Sequence, residues 1–458
     1  MTKTDAPHIL LVNPWIHDFA AYDAWARPLG LLCLAGILRE HGCRVSYADC
    51  LDRFHPRAPR PVREAPFGCG PFRKARLPKP GPLGDVPRYF SRYGIDPAWF
   101  REELSALPPP DLVLVTSGMT YWYTGVQETI AVLRELLPAA PIVLGGTYAT
   151  LCPEHARRLC GADEVIAGPA EGAVLGLVEK YAGYRAAPRY APEDLDALPY
   201  PALDLQRRIA FAPLLTQRGC PFACAYCAAR LLDARCLRRS PAAVVGELGH
   251  WHRRHGVVDV ALYDDAFLAD GPGHALPVLE AIVRSGLPLR FHTPNALHVR
   301  GITPESAGLL FRAGFRTLRL GLETTDADRH RELDRKVTAA EFASAARTLT
   351  QAGFSRGRIG AYLLAGLPGQ PAGEVLRSID TVKQAGVRPI LAYYSPIPGT
   401  ALWPQAVAAS RYDIAAEPLC TNNSVFPCRR EPFSWKWAAE LKQRVAAEQI
   451  DFPAAGCL

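Results

Sequence analysis

The sequence predicts an α/β protein with an N-terminal doubly wound parallel sheet, a partial (β/α)6 barrel and a short helical C-terminal region. Short apolar runs alternate with helical patterns along most of the chain, and glycine or polar residues follow the ends of the runs. With 458 residues the chain is long enough for two or three domains. The predicted division is a sheet domain at 1–185, a linker at 186–210, a barrel at 211–400 and a helical extension at 401–458.

Composition excludes several protein classes. Hydrophobic residues make up 49% and charged residues 21% of the chain, which is typical of a globular protein. The longest apolar run, 29–38, is far shorter than the roughly 20 residues that span a bilayer, and the N-terminal residues lack the apolar region of a secretory signal. We therefore expect a cytoplasmic protein without a membrane span.

The elements of the first domain follow from alternating patterns. Helices are predicted at 30–39 and 126–137, and strands at 8–14, 44–47, 111–117, 141–146 and 163–168. Ligands of a doubly wound sheet lie beyond the carboxyl ends of its strands. Ser117, Gly145, Gly146 and Gly168 occupy such positions and are the candidate binding residues of this domain.

A proline- and arginine-rich insertion near 53–110 interrupts the first domain. Residues 53–92 contain nine prolines and ten Lys or Arg against two acidic residues, a local charge of +8 in a chain of net charge +7. Because the basicity is confined to one segment, it does not indicate a general nucleic-acid-binding surface. A solvated loop and a lid over a cofactor are both consistent with this composition.

Six strand-like runs separated by helices predict the barrel. Ser240, Thr303 and Thr338 are expected helix N-caps, the last with Glu341 in a capping box. Such barrels carry their chemistry at the carboxyl ends of the strands. The runs lie at 213–217, 258–265, 289–294, 317–323, 358–366 and 389–396.

The most specific motif is GCPFACAYCA, which follows the first barrel strand. Its cysteines Cys220, Cys224 and Cys227 are spaced CxxxCxxC and can hold three corners of a [4Fe-4S] cluster. A cluster with four cysteine ligands is fully coordinated, so three leave one iron open. The alternative is a structural zinc knuckle, for which Cys236 is the nearby fourth ligand.

This motif resembles the signature of the radical S-adenosylmethionine (SAM) superfamily, with Tyr226 as the aromatic residue before the third cysteine. The resemblance covers about 211–400. It implies that the open iron binds SAM and that an electron from the cluster cleaves SAM to methionine and a 5′-deoxyadenosyl radical. Many relatives have Gly-Gly-Glu where this chain has Tyr-Asp-Asp at 263–265. The residues that the resemblance assigns to SAM are Tyr226, Asp264, Asn295, Glu323, Gly366 and Pro368.

The first domain resembles the cobalamin-binding domains that precede many radical SAM cores. The similarity lies in residues 27–42 (RPLGLLCLAGILREHG), 116–120, 144–150 and 167–172. It implies a cobalamin site that includes Ser117, Gly145, Gly146 and Gly168. The Asp-x-His-x-x-Gly motif that supplies a lower axial histidine in cobalamin mutases is absent, so no ligand is expected from it. The alternative is a sheet of this fold that binds no corrinoid.

Together these features predict an enzyme that uses the deoxyadenosyl radical and transfers a methyl group from cobalamin to an unactivated carbon. A cobalamin-binding radical SAM cyclase or rearrangement enzyme is the second interpretation, and a tRNA methylthiotransferase or a non-enzymatic corrinoid-binding protein are others. The expected partners are a small-molecule or peptide substrate and an external one-electron reductant of the flavodoxin or ferredoxin type. The sequence does not identify a catalytic residue.

Two further groups of residues have less specific patterns. His250, His252 and His255 resemble a metal-ligand set, but an exposed basic helix face is the favoured interpretation. Cys420, Cys428 and Cys457 are spaced irregularly. Thiols can bind an auxiliary cluster or carry a methyl group, but free thiols are the favoured interpretation of this spacing.

Overall fold

The computed structural model describes residues 6–335, 337–429 and 434–447. The chain forms two compact units, one ending at Ala210 and one beginning at Phe211. Residues 186–210, for which the sequence predicts a linker, belong to the first unit, where Ala202 N donates to Leu32 O at 2.9 Å.

The first unit is built on a five-stranded parallel sheet. The second strand lies at one edge of the sheet, next to the first, and the third, fourth and fifth strands follow on the other side of the first. The direction in which strands are added therefore reverses at the first strand, which is the doubly wound arrangement that the sequence predicts. Ile9, Leu11, Leu112 and Leu114 alternate along two central strands and are buried in the core. In spatial order the strands are Arg44–Asp49, His8–Asn13, Leu112–Val115, Ile142–Leu144 and Glu164–Val165.

Helices cover this sheet. The helix after the first strand buries Leu31, Ile37 and Leu38 in the same core. The helices are Leu29–Glu40, Pro97–Ser105, Tyr123–Leu136, Thr147–Leu151, Pro153–Leu159 and Val174–Ala182.

The proline- and arginine-rich insertion is folded and anchored. Strands Lys74–Arg76 and Ser91–Tyr93 form a small antiparallel sheet with Ile16–Asp18. Asp23, which is fully buried, accepts hydrogen bonds from Arg27 at 2.9 Å and from Arg53 at 2.8 Å. A buried ion pair therefore anchors the insertion, which is a folded segment and not a solvated loop.

The second unit is an open partial barrel of six parallel strands that follow one another in sequence order. Within the described residues the sheet runs from the first strand at one edge to the sixth at the other. Leu318, Leu320 and Leu322 of the fourth strand face the core between sheet and helices, so the alternate positions face the barrel interior. The strands are Ala212–Leu214, Asp259–Leu262, Arg290–His292, Phe315–Glu323, Ile359–Ala365 and Arg388–Tyr393.

The predicted helix starts of the barrel are present. The side chains of Ser240, Thr303 and Thr338 each accept a backbone N–H of the first helical turn, and Glu341 completes the capping box. The helices are Ala229–Leu232, Pro241–His255, Leu276–Ser285, Pro304–Arg312, Ala327–Leu333, Ala339–Gln351, Ala372–Gln384, Trp403–Ala409 and Trp435–Ala446. The last two confirm the predicted helical C-terminal region. Among the described residues, no helix is long and apolar enough to cross a membrane.

Candidate functional site

The three cysteines of the CxxxCxxC motif lie on a hairpin loop directly after the first barrel strand. Gln217–Arg218 and Leu237–Arg238 pair antiparallel and close the loop at its base. Gly219 has φ +82°, and a Cβ atom there would overlap the carbonyl oxygen of Arg235. Only glycine fits at this closure, so the residue before Cys220 is fixed by the geometry of the hairpin.

The middle of the loop is held by backbone hydrogen bonds at Ala225. Its N–H donates to Leu333 O at 2.8 Å, and its carbonyl accepts from Leu402 N at 2.8 Å. Leu333 ends the helix after the fourth strand, and Leu402 follows the sixth strand. Two distant parts of the unit therefore hold the segment between Cys224 and Cys227.

The three thiols suit a cluster better than a single metal ion. Cys224 is buried, Cys220 is half-buried and Cys227 is exposed, with its sulfur 3.4 Å from Ala229 N. In the part of the chain that the structure describes, no three His, Cys, Asp or Glu side chains converge as they would around one ion. In a cubane each thiolate binds a different iron, so the three cysteines of this loop suit three corners of a [4Fe-4S] cluster, whereas a zinc knuckle needs a fourth ligand at the same ion.

Tyr226 and Glu323 lie close enough to interact electrostatically. Burial raises the pKa of Tyr226 well above its usual value, and the charges of Glu323 and Cys224 raise it further. Tyr226 is part of the cysteine loop, whereas Glu323 ends the fourth barrel strand. The structure thus brings together two of the residues that the sequence assigns to SAM.

Glu323 has a strained backbone. Its φ is +66°, in the left-handed region, and the register of the fourth and fifth strands shifts between Gly321 and Glu323. A non-glycine residue in this region costs about 1 to 3 kcal/mol and persists where its surroundings hold it. Here His330 Nε2 lies 2.8 Å from Thr324 O, and Thr324 Oγ1 donates to Glu374 at 3.0 Å. Strain at a buried carboxylate on a strand end is typical of a functional position.

A cavity connects the cysteine loop with the loop after the fifth strand. It measures about 200 Å³ and is lined by Ala225, Pro368 and Arg329, among others. Gly366, two residues before Pro368, has φ +93°, and its N–H donates to the side chain of Gln370 at 2.8 Å. The predicted residues Gly366 and Pro368 therefore lie on the same side of the unit as the cysteines.

Asp264 and Asn295 are hydrogen-bonded to neighbouring strand ends of the barrel. Both carboxylate oxygens of Asp264 are occupied by donors on Thr216 and Gln217, and only 2% of the residue is exposed. Burial raises the pKa of Asp264 to about 7 against the opposing effect of the Thr216 hydrogen bonds. The amide of Asn295 donates to Tyr263 O at 2.8 Å. Asp264 is therefore hydrogen-bonded through both carboxylate oxygens to the start of the cysteine hairpin.

In the first unit, the predicted glycines lie in a tight arrangement at the strand ends. Ser117 Oγ donates to Gly145 O at 2.6 Å and accepts from Ala149 N at 3.2 Å. Gly146 has φ +93°, and a Cβ atom there would overlap the backbone of Ser117. By contrast, a Cβ atom at Gly145 or Gly168 would meet almost nothing within 4 Å. Ser117 and Gly146 therefore shape the turn, and Gly145 and Gly168 leave space beside it.

The histidines of the first unit already have protein partners. The described residues include all five of them, and each has a ring nitrogen within hydrogen-bond distance of another group. His17, the histidine nearest the end of the first strand, uses both nitrogens, at 2.6 Å from Glu128 and 3.2 Å from Thr124. The others are His8 with Ser46, His41 with Ile37 O, His55 with Glu103 and His155 with Tyr148.

Two groups from the sequence analysis do not form sites in the described structure. Cys420 and Cys428 are buried, and burial raises the pKa of Cys428 to about 12, so this thiol stays protonated. Cys457 lies outside the described residues. His250, His252 and His255 lie on the helix Pro241–His255 and, within the described chain, do not belong to a metal-ligand group.

Sequence reasoning missed Thr216, Gly219 and His274. Thr216 Oγ1 donates to Asp264 at 2.6 Å and lies 2.9 Å from His274 Nε2. The Gly-Cys dipeptide could have indicated the hairpin closure at Gly219. Nothing in the sequence pairs Thr216 with His274, which is 58 residues away.

Each of the two units contains a region that matches a known protein family. Residues 214–382 match the family model of the radical SAM superfamily, and residues 95–178 match that of the B12 binding domain. The second unit therefore contains a region similar to the radical SAM superfamily, and the first unit contains a region similar to the B12 binding domain. The two matches confirm the predicted order of a cobalamin-binding-like domain followed by a radical SAM domain. The predicted enzyme class and cofactors, a [4Fe-4S] cluster, SAM and cobalamin, are those that these two family models imply.

Two curated relatives are uncharacterized methyltransferases. The protein from Pyrococcus horikoshii is 24% identical over 328 residues, which cover 65% of this chain and 70% of the relative. The protein from Synechocystis is 27% identical over 304 residues, or 64% of this chain and 55% of the relative.

Solved structures of cobalamin-dependent radical SAM proteins share the fold. The methyltransferase TsrM from Kitasatospora setae, determined with tryptophan substrate and a SAM analogue, has a TM-score of 0.65 and 18% identity over 88% of this chain and 77% of that one. OxsB with aqua-cobalamin and SAM has a TM-score of 0.58 and 10% identity over 97% of this chain and 62% of that one. At these identities the similarity establishes the fold alone.

Proposed function

We propose that this protein is a radical SAM methyltransferase that uses SAM at a [4Fe-4S] cluster and a methyl group carried by cobalamin. The observation that carries the proposal is a CxxxCxxC hairpin at the carboxyl end of the first barrel strand in a chain that also has a B12-binding domain. The methyltransferase names of two relatives and the fold of TsrM support it.

Cys220, Cys224 and Cys227 would hold three irons of the cluster and leave the fourth for SAM. When bound, the reduced cluster would supply the electron that cleaves one SAM to methionine and a 5′-deoxyadenosyl radical, which would abstract hydrogen from an unactivated carbon. A second SAM would methylate the reduced cobalamin, which would supply this methyl group to the substrate radical. The exposed position of Cys227 is compatible with electron delivery by an external flavodoxin or ferredoxin, which we include in the proposal.

The residues of the proposed SAM site have distinct tasks. The carboxylate of Glu323 can accept hydrogen bonds from two ribose hydroxyls, and the Tyr226 ring provides a partly apolar surface beside it. Gly366 lets the backbone approach a ligand closely because it has no side chain. Asn295 follows the third barrel strand and Pro368 follows the fifth, so both lie at the carboxyl ends of strands.

We predict that Glu323→Gln weakens SAM binding by roughly tenfold to a hundredfold, because charge-assisted hydrogen bonds to the hydroxyls are lost. Anaerobic equilibrium dialysis of the reconstituted protein measures the affinity. Glu280→Gln, on an exposed helix face where it pairs with Arg284, is the matched control and should bind SAM as the wild type does. An unchanged affinity in Glu323→Gln would remove Glu323 from the site.

In the first unit, Gly145 and Gly168 would leave room for the nucleotide tail of cobalamin, and Ser117 and Gly146 would hold the turn in shape. None of these groups offers an imidazole, and His17, the histidine nearest the end of the first strand, has both ring nitrogens hydrogen-bonded to protein groups. We therefore propose that no protein imidazole binds the lower face of the corrin.

The prediction for this lower face is spectroscopic. We expect the electron paramagnetic resonance spectrum of the Co(II) form to be identical in unlabelled protein and in protein that contains [¹⁵N]histidine. A nitrogen splitting that changes with the label would show a histidine ligand and contradict the proposal. The dimethylbenzimidazole nitrogen of cobalamin does not change with this label, so it serves as the internal control.

Product analysis tests the reaction. Protein reconstituted anaerobically with cluster, cobalamin and a reductant is given SAM with a trideuterated methyl group and candidate substrates, beginning with tryptophan, the substrate in one TsrM structure. The proposal predicts a product that carries the deuterated methyl group and depends on cobalamin. A rearranged product without the label would replace methyl transfer with cyclisation or rearrangement.

A further inference from the structure

We propose that Asp264 is a positioning residue that fixes the base of the cysteine hairpin, rather than a direct ligand of SAM. This inference rests on the proposed cluster at Cys220, Cys224 and Cys227 and adds a residue that prepares the loop for it. Asp264 follows the second barrel strand, whereas the hairpin begins after the first, so the carboxylate joins two neighbouring strand ends.

Asp264 accepts an unusually complete set of hydrogen bonds from the start of the hairpin. The donors are Thr216 N at 3.0 Å, Thr216 Oγ1 at 2.6 Å and Gln217 N at 2.7 Å. Because the single hydroxyl hydrogen of Thr216 points to Asp264, the neighbouring His274 Nε2 at 2.9 Å donates to Thr216. Because three donors from two adjacent residues converge on one buried carboxyl group, this contact fixes the orientation of the backbone at Thr216 and Gln217.

The residue that follows the second strand of the hairpin, Arg239, also binds the backbone next to Asp264. Arg239 N donates to Thr216 O at 2.9 Å, and the Arg239 side chain donates to Leu215 O at 3.2 Å and forms an ion pair with buried Glu247. Thr216 is therefore bound through its N–H, hydroxyl and carbonyl. Ala225 makes two further hydrogen bonds at the middle of the loop, so the cysteine segment is fixed at both its base and its middle.

A pre-ordered loop lowers the entropy that is lost when three thiolates converge on one cluster. Asp264→Asn replaces one acceptor oxygen with an amide group that would face backbone N–H donors. The contact is then weakened without a large change in side-chain volume. The cluster should be affected even when SAM is absent, which separates this role from direct binding of SAM.

The test compares wild type, Asp264→Asn and Asp265→Asn without SAM. We expect Asp264→Asn to lose iron to a chelator about tenfold faster than the wild type and to show a changed electron paramagnetic resonance spectrum of the reduced cluster. Asp265, the next carboxylate in the chain, is exposed, and Asp265→Asn should retain the wild-type rate and spectrum. Thr216→Ser keeps the hydroxyl and should behave as the wild type, whereas Thr216→Val should reproduce part of the defect and serves if Asp264→Asn does not fold.

Hydrogen exchange of the metal-free protein gives an independent measurement. The amides at 216 and 217 should exchange faster in Asp264→Asn, and this result does not depend on cluster assembly. If Asp264→Asn keeps its iron, its spectrum and its slow exchange but loses affinity for SAM, the positioning role is wrong and Asp264 is a ligand. If wild-type protein assembles no cluster, the proposed function fails, and the exchange rates alone then decide the role of Asp264.

Discussion

Replacing Cys220, Cys224 and Cys227 together with alanine is expected to abolish the visible absorption of the reconstituted cluster and the reductive cleavage of SAM. The three sulfurs lie on one hairpin whose base and middle are held by hydrogen bonds, and the triple variant leaves this hairpin with Cys236 as its single cysteine, too few ligands for a cluster. Iron content, the absorption spectrum and 5′-deoxyadenosine formation measure the effect. The loss should be complete.

Cys236→Ala is the matched control for this triple variant. Cys236 is exposed and lies on the returning side of the same hairpin, one residue before the strand Leu237–Arg238. Because the proposed cluster has only three cysteine ligands, this variant should keep its iron and its spectrum. A triple variant that still holds about four irons per chain would mean that other cysteines bind the cluster, and the assignment would be wrong.

Gly145→Val is expected to weaken cobalamin binding by at least about tenfold and to leave the thermal stability of the cofactor-free protein close to that of the wild type. The reason is steric: a Cβ atom at Gly145 has its nearest protein neighbour, Ile166 O, at 3.9 Å, so a side chain there would begin without a clash and extend into the space assigned to the nucleotide tail. Binding is measured by retention of hydroxocobalamin through gel filtration and by its absorption spectrum.

Gly176→Ala provides the control for Gly145→Val. Gly176 lies in the helix Val174–Ala182, where an added Cβ atom meets nothing within 4 Å, and alanine favours a helix. This variant should bind cobalamin normally. Normal binding by Gly145→Val would show that the tail lies elsewhere, and a large loss of thermal stability would show that Gly145 has a structural role.

The parts of the fold that depend on local pattern could be predicted from the sequence. The six barrel strands, the N-caps at Ser240, Thr303 and Thr338 and the cysteine loop after the first strand all follow from residues close in sequence. The same holds for Gly146, whose positive φ marks the turn after the fourth strand of the first unit.

Contacts between distant residues could not be predicted in this way. The ion pair of Arg53 with Asp23, which anchors the insertion, depends on how separate segments meet in the folded unit. The hydrogen bonds of Asp264 are of the same kind: an acidic residue on a strand end suggests a ligand contact, and only the structure reveals that Thr216 and Gln217 occupy its oxygens.

The central claim is that one chain holds both a cluster and cobalamin. The most direct measurement is the iron, sulfide and cobalt content per chain after anaerobic reconstitution and gel filtration. The account predicts about four irons, about four sulfides and about one cobalt in the same protein peak. Iron without cobalt, or cobalt without iron, in the peak of the intact protein would contradict it.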